Sequence, residues 1–479
     1  MSTRSLAAVL FVLFAYVFFS TAGELEYRRV PWHYTYYASL SEGFLRGQLS
    51  MAHDPPPALL ALADPYVFTN REGIPYAWDA SLYNGRYYLY FSPLPALLFT
   101  IPFRLLTTGY PADSLSTAFF CAWAFLAAVA VLRRLQLARV LWILLIGVGT
   151  LVPFVLVEVR VYEVAIACAT AMTMTWAYTL QRFLERPSTR SAAVMGLFLA
   201  LTIAARPNLI VLIVVAIFAM RRTPRLMLTA AIPLIVIGGA YAAYNHARFG
   251  SPLETGLTYQ LTVIPMRGQA PCSLCSPADV DRFFDSLRNY LFLPPYLVRT
   301  FPFVEMRKYD VHESVAFPAT PEQVAGIAVL APITMLALFV LRKERGIGTL
   351  LLAAAWIILL ALSTCRWITA RYALDFYGLM LLGSIIVVER GVTSRRMRVA
   401  VALLAIYSIV LGLLLGFHGR DGMFEKKRQA RSAASARRSS SNFLRCGSGV
   451  GIDGVSTIAS TSSASRGGHS PGLAMSWPL

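Results

Sequence analysis

The chain has 479 residues, of which 57% are hydrophobic and only 14% are charged, and its mean hydropathy is +0.57. Soluble domains average about 25% charged residues, so this composition excludes a soluble globular enzyme and predicts an all-α polytopic membrane protein. The net charge of +18 does not indicate nucleic-acid binding. The basic residues recur in short loops between apolar segments, which is the pattern that orients helices in a bilayer.

The first apolar segment runs from Leu6 to Ala22 and follows a single arginine, Arg4. A helix of about 20 apolar residues crosses a bilayer, so we expect 1–22 to be a retained first transmembrane span. A cleaved signal peptide is the alternative, because the small residues at 20–23 offer a weak cleavage site. The more polar residues 23–95 then form a large predicted outer loop.

The early part of this loop, 33–51, predicts an amphipathic helix. Tyr37, Leu40 and Phe44 recur at the three- and four-residue spacing of one helix face. Glu42 and Arg46 stand four residues apart on the same helix. A surface salt bridge is one interpretation of this pair, and a functional acid at position 42 is the other.

The most distinctive segment of the loop is 78–97, WDASLYNGRYYLYFSPLPAL. It combines Asp79, Asn84 and Arg86 with a cluster of tyrosines, and aromatic rings favour the membrane interface. A carboxylate at a water–lipid boundary can take a proton from a hydroxyl or hold a divalent cation. Asp79 is therefore the strongest candidate for chemistry, and the alternative is that it caps a turn.

The remaining apolar segments predict a transmembrane bundle over 96–417. Residues 192–220 are too long for one crossing and are interrupted by Pro207, so we expect a hairpin there. Residues 87–108 contain several prolines and predict a re-entrant or interfacial segment. The total is about eleven spans with a cytoplasmic N-terminus and a second outer loop at 246–320. The clear spans after the first are 113–132, 138–157, 161–181, 226–244, 322–341, 346–364, 370–388 and 398–417.

Charged residues near the span ends fall on the predicted outer side. Arg160, Glu163, Arg206 and Arg371 occupy equivalent depths on this topology, and polar groups at membrane depth usually face a cavity or a partner. Guanidinium offers paired donors that match a phosphate, so these arginines predict contact with a lipid phosphate. The alternative is internal pairing, of Arg371 with Asp375 and of Arg160 with Glu158 or Glu163.

Two other segments carry weaker signals. Cys272 and Cys275 form a single Cys-x-x-Cys, which lacks the second pair of a structural zinc site and favours a local disulfide. The Ser-, Arg- and Gly-rich residues 418–479 lack apolar periodicity and predict a disordered tail. We assign this tail no function.

Several phrases in the chain resemble bacterial integral-membrane glycosyltransferases of the GT-C type, including relatives of protein O-mannosyltransferases and lipid A aminoarabinose transferases. The resemblance covers 6–417 and depends on the arrangement of its segments. The segments that carry the resemblance are YASLSEGFLRGQLSM, WDASLYNGRYYLYFSPLPAL, VRVYEVAIA, AARPNLI, YNHARFGSPLETGLTYQL and RYALDFYGLMLL.

The resemblance implies a polytopic helical fold whose first outer loop carries the catalytic acid. Such enzymes move a sugar from a polyprenyl-phosphate donor to a hydroxyl acceptor on a glycan, lipid or protein, usually with inversion. The Asp-Glu pair that follows the first span in mannosyltransferase-like members is missing here. The base is therefore left open among Asp79, Glu42 and Glu24.

On this interpretation the site faces the outside of a bacterial cytoplasmic membrane. Arg86, Arg206 and Arg371 would hold the donor phosphate, with Arg160 and Glu163 beside them, and Tyr87, Tyr88 and Tyr90 would line the groove for the sugar or lipid. No cofactor is certain, although Asp79 is a candidate ligand for a divalent metal ion. A transporter or flippase, or a non-catalytic membrane scaffold, is the alternative function.

Overall fold

Helices account for most of the computed structural model, which describes residues 2–157, 159–263, 265–267, 276–309, 322–344, 346–365 and 368–419. Its α-helices are α1 Thr3–Ser20, α2 Tyr36–Leu45, α3 Pro57–Leu60, α4 Ile101–Leu106, α5 Asp113–Arg134, α6 Val140–Val148, α7 Val152–Val157, α8 Val161–Glu185, α9 Thr189–Ala205, α10 Leu212–Met220, α11 Pro224–Phe249, α12 Pro277–Phe292, α13 Ile327–Leu330, α14 Ile333–Val340, α15 Ile347–Ser363, α16 Leu374–Gly391 and α17 Arg395–His418.

The strands are short, and within the described residues each pairs with one other strand. β1 Arg29–Val30 pairs with β4 Tyr110–Pro111, and β2 Ser81–Tyr83 pairs with β3 Arg86–Tyr88. β5 Tyr296–Leu297 pairs with β6 Val304–Glu305, and β7 Arg307–Tyr309 pairs with β8 Glu322–Val324. All four pairs are antiparallel. Short 3-10 helices occur at Phe68–Arg71, Pro207–Val211, Leu257–Tyr259, Leu341–Lys343 and Ala370–Ala373, and a π-helical turn occurs at Ala96–Thr100.

Within the described residues, five helices are long and apolar enough to cross a membrane: Thr3–Ser20, Asp113–Arg134, Pro224–Phe249, Ala370–Gly391 and Arg395–His418. Shorter apolar helices occupy Ala96–Leu106, Thr189–Ala205, Pro207–Met220 and Ile347–Ser363. The prediction of a mostly helical membrane protein is confirmed at this level. The number of eleven spans and their orientation stay predictions.

Two predicted spans are not continuous helices. Residues 138–157 divide into α6 and α7 around Gly149, and Pro153 stands in the first turn of α7. Residues 322–341 begin in β8 and continue as α13 and α14, with Pro332 between the two helices. Proline has no backbone N–H to donate, so apolar composition alone does not carry a helix through these points.

The predicted break in 192–220 is present. α9 ends at Ala205, Arg206 is extended with φ −144° and ψ 107°, and Pro207 begins a 3-10 turn. Since the residue before proline disfavours helical dihedrals, Arg206 leaves the helix at the position that the sequence indicates. The Arg206 side chain therefore does not continue the helical repeat of α9, and it contacts Asp375 of α16.

Small residues let the helices approach closely. Gly196 of α9 lies directly against the backbone carbonyl of Ala230 in α11, and a Cβ at Gly383 of α16 would stand 2.9 Å from the Gly348 carbonyl oxygen of α15. Helices in lipid associate through van der Waals packing, so such contacts require glycine at these crossings. The opposite face of α11 is open, with Leu228 75% and Ile235 71% exposed.

The bundle has two distinct ends, which α16 connects. Asp375 lies in the first turn of α16 and Glu389 in its last turn, which places them about 21 Å apart at 1.5 Å per residue. Around Glu389 lie the arginine-rich loops and the ion pairs Arg139–Glu389 at 2.9 Å and Arg390–Glu344 at 2.8 Å. We call this the arginine-rich end. The predicted disordered tail from 420 onward and the Cys272–Cys275 pair lie outside the described residues.

Candidate functional site

A tight hairpin organises the segment 77–95, which we call the Asp79 loop. β2 and β3 are joined by Asn84 and Gly85, with φ of 47° and 71°. Asn-Gly with two left-handed residues is the preferred two-residue hairpin turn, so the sequence itself specifies this local fold. Arg86 follows the turn and is exposed, so its guanidinium lies at the hairpin tip.

A second loop holds the turn that contains Asp79. The Asp79 N–H donates to the Leu261 carbonyl at 3.0 Å, and the Leu261 N–H donates to the Ala80 carbonyl at 2.9 Å. Asp79 has φ 59°, a left-handed conformation that aspartate tolerates better than most residues. The two loops that the sequence places on one side of the membrane therefore meet at this residue.

The Asp79 carboxylate is buried, with 8% of the residue exposed. Its Oδ2 accepts a hydrogen bond from the Tyr162 hydroxyl, while Oδ1 has no hydrogen-bond partner among the described residues. Burial raises the pKa of Asp79, and the contact with Tyr162, together with nearby Thr262 and Arg371, opposes that increase. A carboxyl group with a raised pKa and a vacant acceptor oxygen is suited to exchange a proton with a bound hydroxyl.

Arg71 also belongs to the candidate site, although no sequence pattern singles it out. The residue is 2% exposed, and its guanidinium carbon lies 4.4 Å from the ring centroid of Tyr76. Its Nη2 donates to the Thr262 carbonyl at 2.5 Å, but Nε and Nη1 have no partner in the part of the chain that is described. Asp79 is near enough to favour its charged form without a salt bridge. A buried cation with unused donors is costly unless an anion binds it.

Arg371 anchors the far side of the site. Its Nη2 lies 3.1 Å from Glu322 Oε1 and its Nη1 lies 3.5 Å from Glu163 Oε1. Its guanidinium carbon also lies 4.5 Å from the ring centroid of Tyr162, the residue that binds Asp79. Arg371 is thus paired with two acids from other elements, and the simple alternative of an Arg371–Asp375 pair is not what the structure has.

Asp375 instead pairs with the arginine at the helix break. Arg206 Nε lies 3.0 Å from Asp375 Oδ2, and the Asn208 amide donates to the same oxygen at 3.2 Å. The Asp375 side chain is fully buried and that of Arg206 is 14% exposed. Tyr372 joins this pair to the rest of the site, because the guanidinium carbons of Arg206 and Arg371 lie 5.2 and 5.8 Å from its ring centroid.

Tyr90 is the predicted groove residue that belongs to this cluster. Its pKa is raised by burial and by the charge of Asp79, with Tyr162 and Tyr372 as further neighbours. Tyr36 closes another side, since its hydroxyl donates to the Trp78 carbonyl at 2.6 Å. The structure thus gathers Asp79, Tyr90, Glu163 and Arg371, with Arg206 one tyrosine away.

The other predicted tyrosines lie apart from the carboxylate. The ring centroids of Tyr87 and His53 lie 5.9 Å apart in a stacked arrangement, and the Tyr87 hydroxyl accepts a hydrogen bond from the Ala77 N–H. Tyr87 therefore stabilises the start of the Asp79 loop. The Tyr88 ring packs on Phe249 at the end of α11, 5.2 Å between centroids. Both side chains serve the packing of the Asp79 loop.

Glu42, Glu24 and Arg160 have other surroundings. Glu42 binds Arg46 at 2.8 Å and accepts a hydrogen bond from the Tyr110 hydroxyl at 2.5 Å, which lowers the pKa of Glu42. Glu24 is exposed in the turn after α1. Arg160 is exposed, and its backbone N–H donates to Glu163 Oε2 at 2.8 Å at the start of α8. The surface salt-bridge interpretation therefore describes Glu42 better than a proton-exchange role does.

Arg248 ties the Asp79 loop to the bundle. Its Nη1 donates to the Leu89 carbonyl at 2.8 Å and its Nη2 to Asn245 Oδ1 at 2.7 Å. The guanidinium carbon lies 3.9 Å from the Tyr244 ring centroid, and the residue is 3% exposed. This arginine serves as a fixed link between the last turn of α11 and the loop.

The space beside Arg371 is small. A cavity of about 30 Å³ lies among Glu163, Glu322, Thr369 and Arg371. Such a volume accommodates water, which needs about 10–15 Å³, but not a sugar. Among the described residues no three His, Cys, Asp or Glu side chains gather as a metal site.

In comparisons with known proteins, no family model matches this chain, and no significantly similar curated protein or solved structure was found.

Proposed function

We propose that this protein is a membrane glycosyltransferase that moves a sugar from a polyprenyl-phosphate donor to a hydroxyl acceptor at the outer face of a bacterial cytoplasmic membrane. The observation that supports this function best is that Asp79 and Arg71 lie near each other without a salt bridge. Asp79 Oδ1 and Arg71 Nε and Nη1 have no hydrogen-bond partner among the described residues. Glycosyl transfer from such a donor needs one base and one phosphate ligand. The GT-C resemblance and the eleven spans remain predictions.

In the proposed reaction Asp79 acts as the general base. Its carboxylate takes the proton of the acceptor hydroxyl, and the acceptor oxygen attacks the anomeric carbon of the donor sugar. The bond between that carbon and the phosphate oxygen breaks, and polyprenyl phosphate leaves with the electron pair. Attack opposite the leaving group inverts the anomeric carbon.

Arg71 supplies the positive charge for the leaving phosphate. Guanidinium donors match phosphate oxygens in pairs, and negative charge grows on the phosphate as the bond breaks. This assignment differs from the sequence-based choice of Arg86, which lies at an exposed hairpin tip, and of Arg206 and Arg371, which already hold carboxylates. Arg206 and Arg371 would then position the site and would not bind the donor directly.

Substrate entry requires movement of the Asp79 loop. Asp79 is 8% exposed and the neighbouring cavity is about 30 Å³, so neither a sugar nor an acceptor fits without displacement of side chains. Closing a loop over bound substrate also excludes water, which would otherwise compete with the acceptor.

The test is sugar transfer in membranes that contain the protein or its Asp79→Asn variant, with a labelled panel of polyprenyl-phosphate sugars. Asp54→Asn is the matched control, because Asp54 is an exposed acid of the same outer segment. Transfer that is lost only in Asp79→Asn supports the proposal. Equal transfer by both variants contradicts the role of Asp79, and absence of transfer by the folded wild type with every donor contradicts the transferase function.

A further inference from the structure

A larger cavity lies at the arginine-rich end, at the opposite end of α16 from Asp375. Its volume is about 340 Å³, which lies within the ~300–1,000 Å³ of ligand pockets. The starts of α6 and α17 and the last turn of α16 surround it. It is therefore a distinct space from the site around Asp79.

Two arginines give this cavity a positive charge. Arg139 Nη1 lies 2.9 Å from Glu389 Oε1, and the Trp142 indole N–H donates to the same oxygen at 2.7 Å. The Arg398 Nη2 donates to the Thr393 carbonyl at 3.0 Å, and this arginine has no carboxylate partner among the described residues. With one acid and two guanidinium groups, the lining keeps an excess positive charge.

The rest of the lining is apolar. Leu141, Val388 and Val401 contribute aliphatic walls beside the two guanidinium groups. A soluble anion would gain nothing from such walls, whereas a phospholipid places an acyl chain directly next to its phosphate. Basic pockets between membrane helices are a recognised way to bind acidic lipid head groups.

We propose that this cavity binds the phosphate of an anionic phospholipid, with Arg139 and Arg398 as its ligands and the apolar wall against the first part of an acyl chain. Glu389 holds Arg139 and Trp142 in place and at the same time limits the affinity, because its charge repels the phosphate. The proposal is independent of sugar transfer.

The experiment is native mass spectrometry of the purified full-length protein after exchange with equimolar phosphatidylglycerol and phosphatidylcholine. We expect preferential retention of phosphatidylglycerol. Arg398→Gln should lower that retention by about fivefold, the effect of one basic residue at a lipid surface. Arg182→Gln together with Arg190→Gln is the matched control, because both arginines are exposed at the same end and line no part of the cavity.

Glu389→Gln separates a lipid site from a merely structural cluster. Removing the carboxylate charge should raise phosphatidylglycerol retention, while the amide oxygen still accepts the Trp142 N–H. Equal retention of the two lipids, an equal loss in the control variant, or a decrease in folded Glu389→Gln would each overturn the proposal. Displacement of phosphatidylglycerol by the same concentration of glycerol phosphate would overturn the assignment to a lipid in favour of a soluble phosphate.

Discussion

The Tyr162 hydroxyl donates a hydrogen bond to Asp79 Oδ2, although 83 residues separate the two along the chain. Tyr162 stands at the start of α8, and Asp79 stands in a left-handed turn of the Asp79 loop. This contact favours the ionised carboxylate, whereas burial disfavours it, and burial is the larger effect. Burial therefore dominates the proton affinity of the proposed base, and Tyr162 of α8 partly offsets it.

Tyr162→Phe should shift the acid limb of the transfer rate to higher pH. The pKa of Asp79 is already raised by burial, and loss of the hydroxyl raises it further. A general base works only when it is deprotonated, so transfer is lost as the pH falls through this pKa. In the variant this loss should occur at a higher pH. A pH–rate profile measures the shift, and Tyr34→Phe, at an exposed tyrosine, is the control. An unshifted limb in Tyr162→Phe would argue against Asp79 as the titrating base.

Arg71→Gln should reduce the transfer rate by about 10²–10³-fold, the usual cost of removing one donor to developing negative charge. Arg86→Gln should have little effect, because that arginine is exposed at the hairpin tip. Initial rates at saturating donor compare the two. If Arg86→Gln were the more damaging change, the phosphate would lie nearer the hairpin, as the sequence alone predicts.

Asp375→Asn should lower stability more than any change to the exposed ion pairs. Breaking one side of a buried pair costs about 3–5 kcal/mol, because the partner charge stays buried alone. Asp375 is fully buried and Arg206 nearly so. Glu42→Gln is the comparison, with an expected cost of about 1 kcal/mol or less, since Arg46 is 46% exposed. Denaturant titration in detergent micelles measures both, and equal losses would contradict a buried pair at Asp375.

Gly196→Ala should destabilise the bundle, whereas Gly238→Ala should not. A methyl at Gly196 meets the Ala230 carbonyl, and overpacking of this kind costs about 1–3 kcal/mol. A methyl at Gly238 of α11 meets no atom within 4 Å, and alanine gains about 0.5–1 kcal/mol over glycine in a helix. Thermal unfolding followed by tryptophan fluorescence distinguishes them. A stable Gly196→Ala protein would place α9 and α11 farther apart.

The sequence predicts the helical class and the break at Pro207 because both depend on local chemistry. Hydropathy defines the long apolar helices, and Pro207 favours a break because it has no N–H to donate and disfavours helical dihedrals at Arg206, although Pro233 is accommodated inside α11. Hydropathy alone does not predict the division of 138–157. The local signal there is Pro153, which has no N–H to donate to the carbonyl of Gly149 four residues earlier.

The sequence indicates some residues of the candidate site, whose function stays a prediction. Asp79 stands out because acids are rare among interfacial tyrosines, but its partner Tyr162 comes from a distant helix that no local pattern identifies. The sequence indicates that Arg86 is exposed, because Asn84-Gly85 predicts a hairpin turn directly before it. No sequence pattern indicates that Arg71 is buried, because its contacts are with Tyr76 and with the carbonyl of residue 262 in a distant part of the chain.

The link at Arg248 has a mechanical consequence. We expect the tilt of α11 to respond to the thickness of the surrounding bilayer, because the helix is long enough to cross it and exposes most of its side chains. The last turn of this helix holds the Leu89 carbonyl through Arg248, and Leu89 belongs to the Asp79 loop. We therefore expect a change in bilayer thickness to displace the Asp79 loop. On the proposed function, lipid chain length should then change how readily substrates reach the carboxylate.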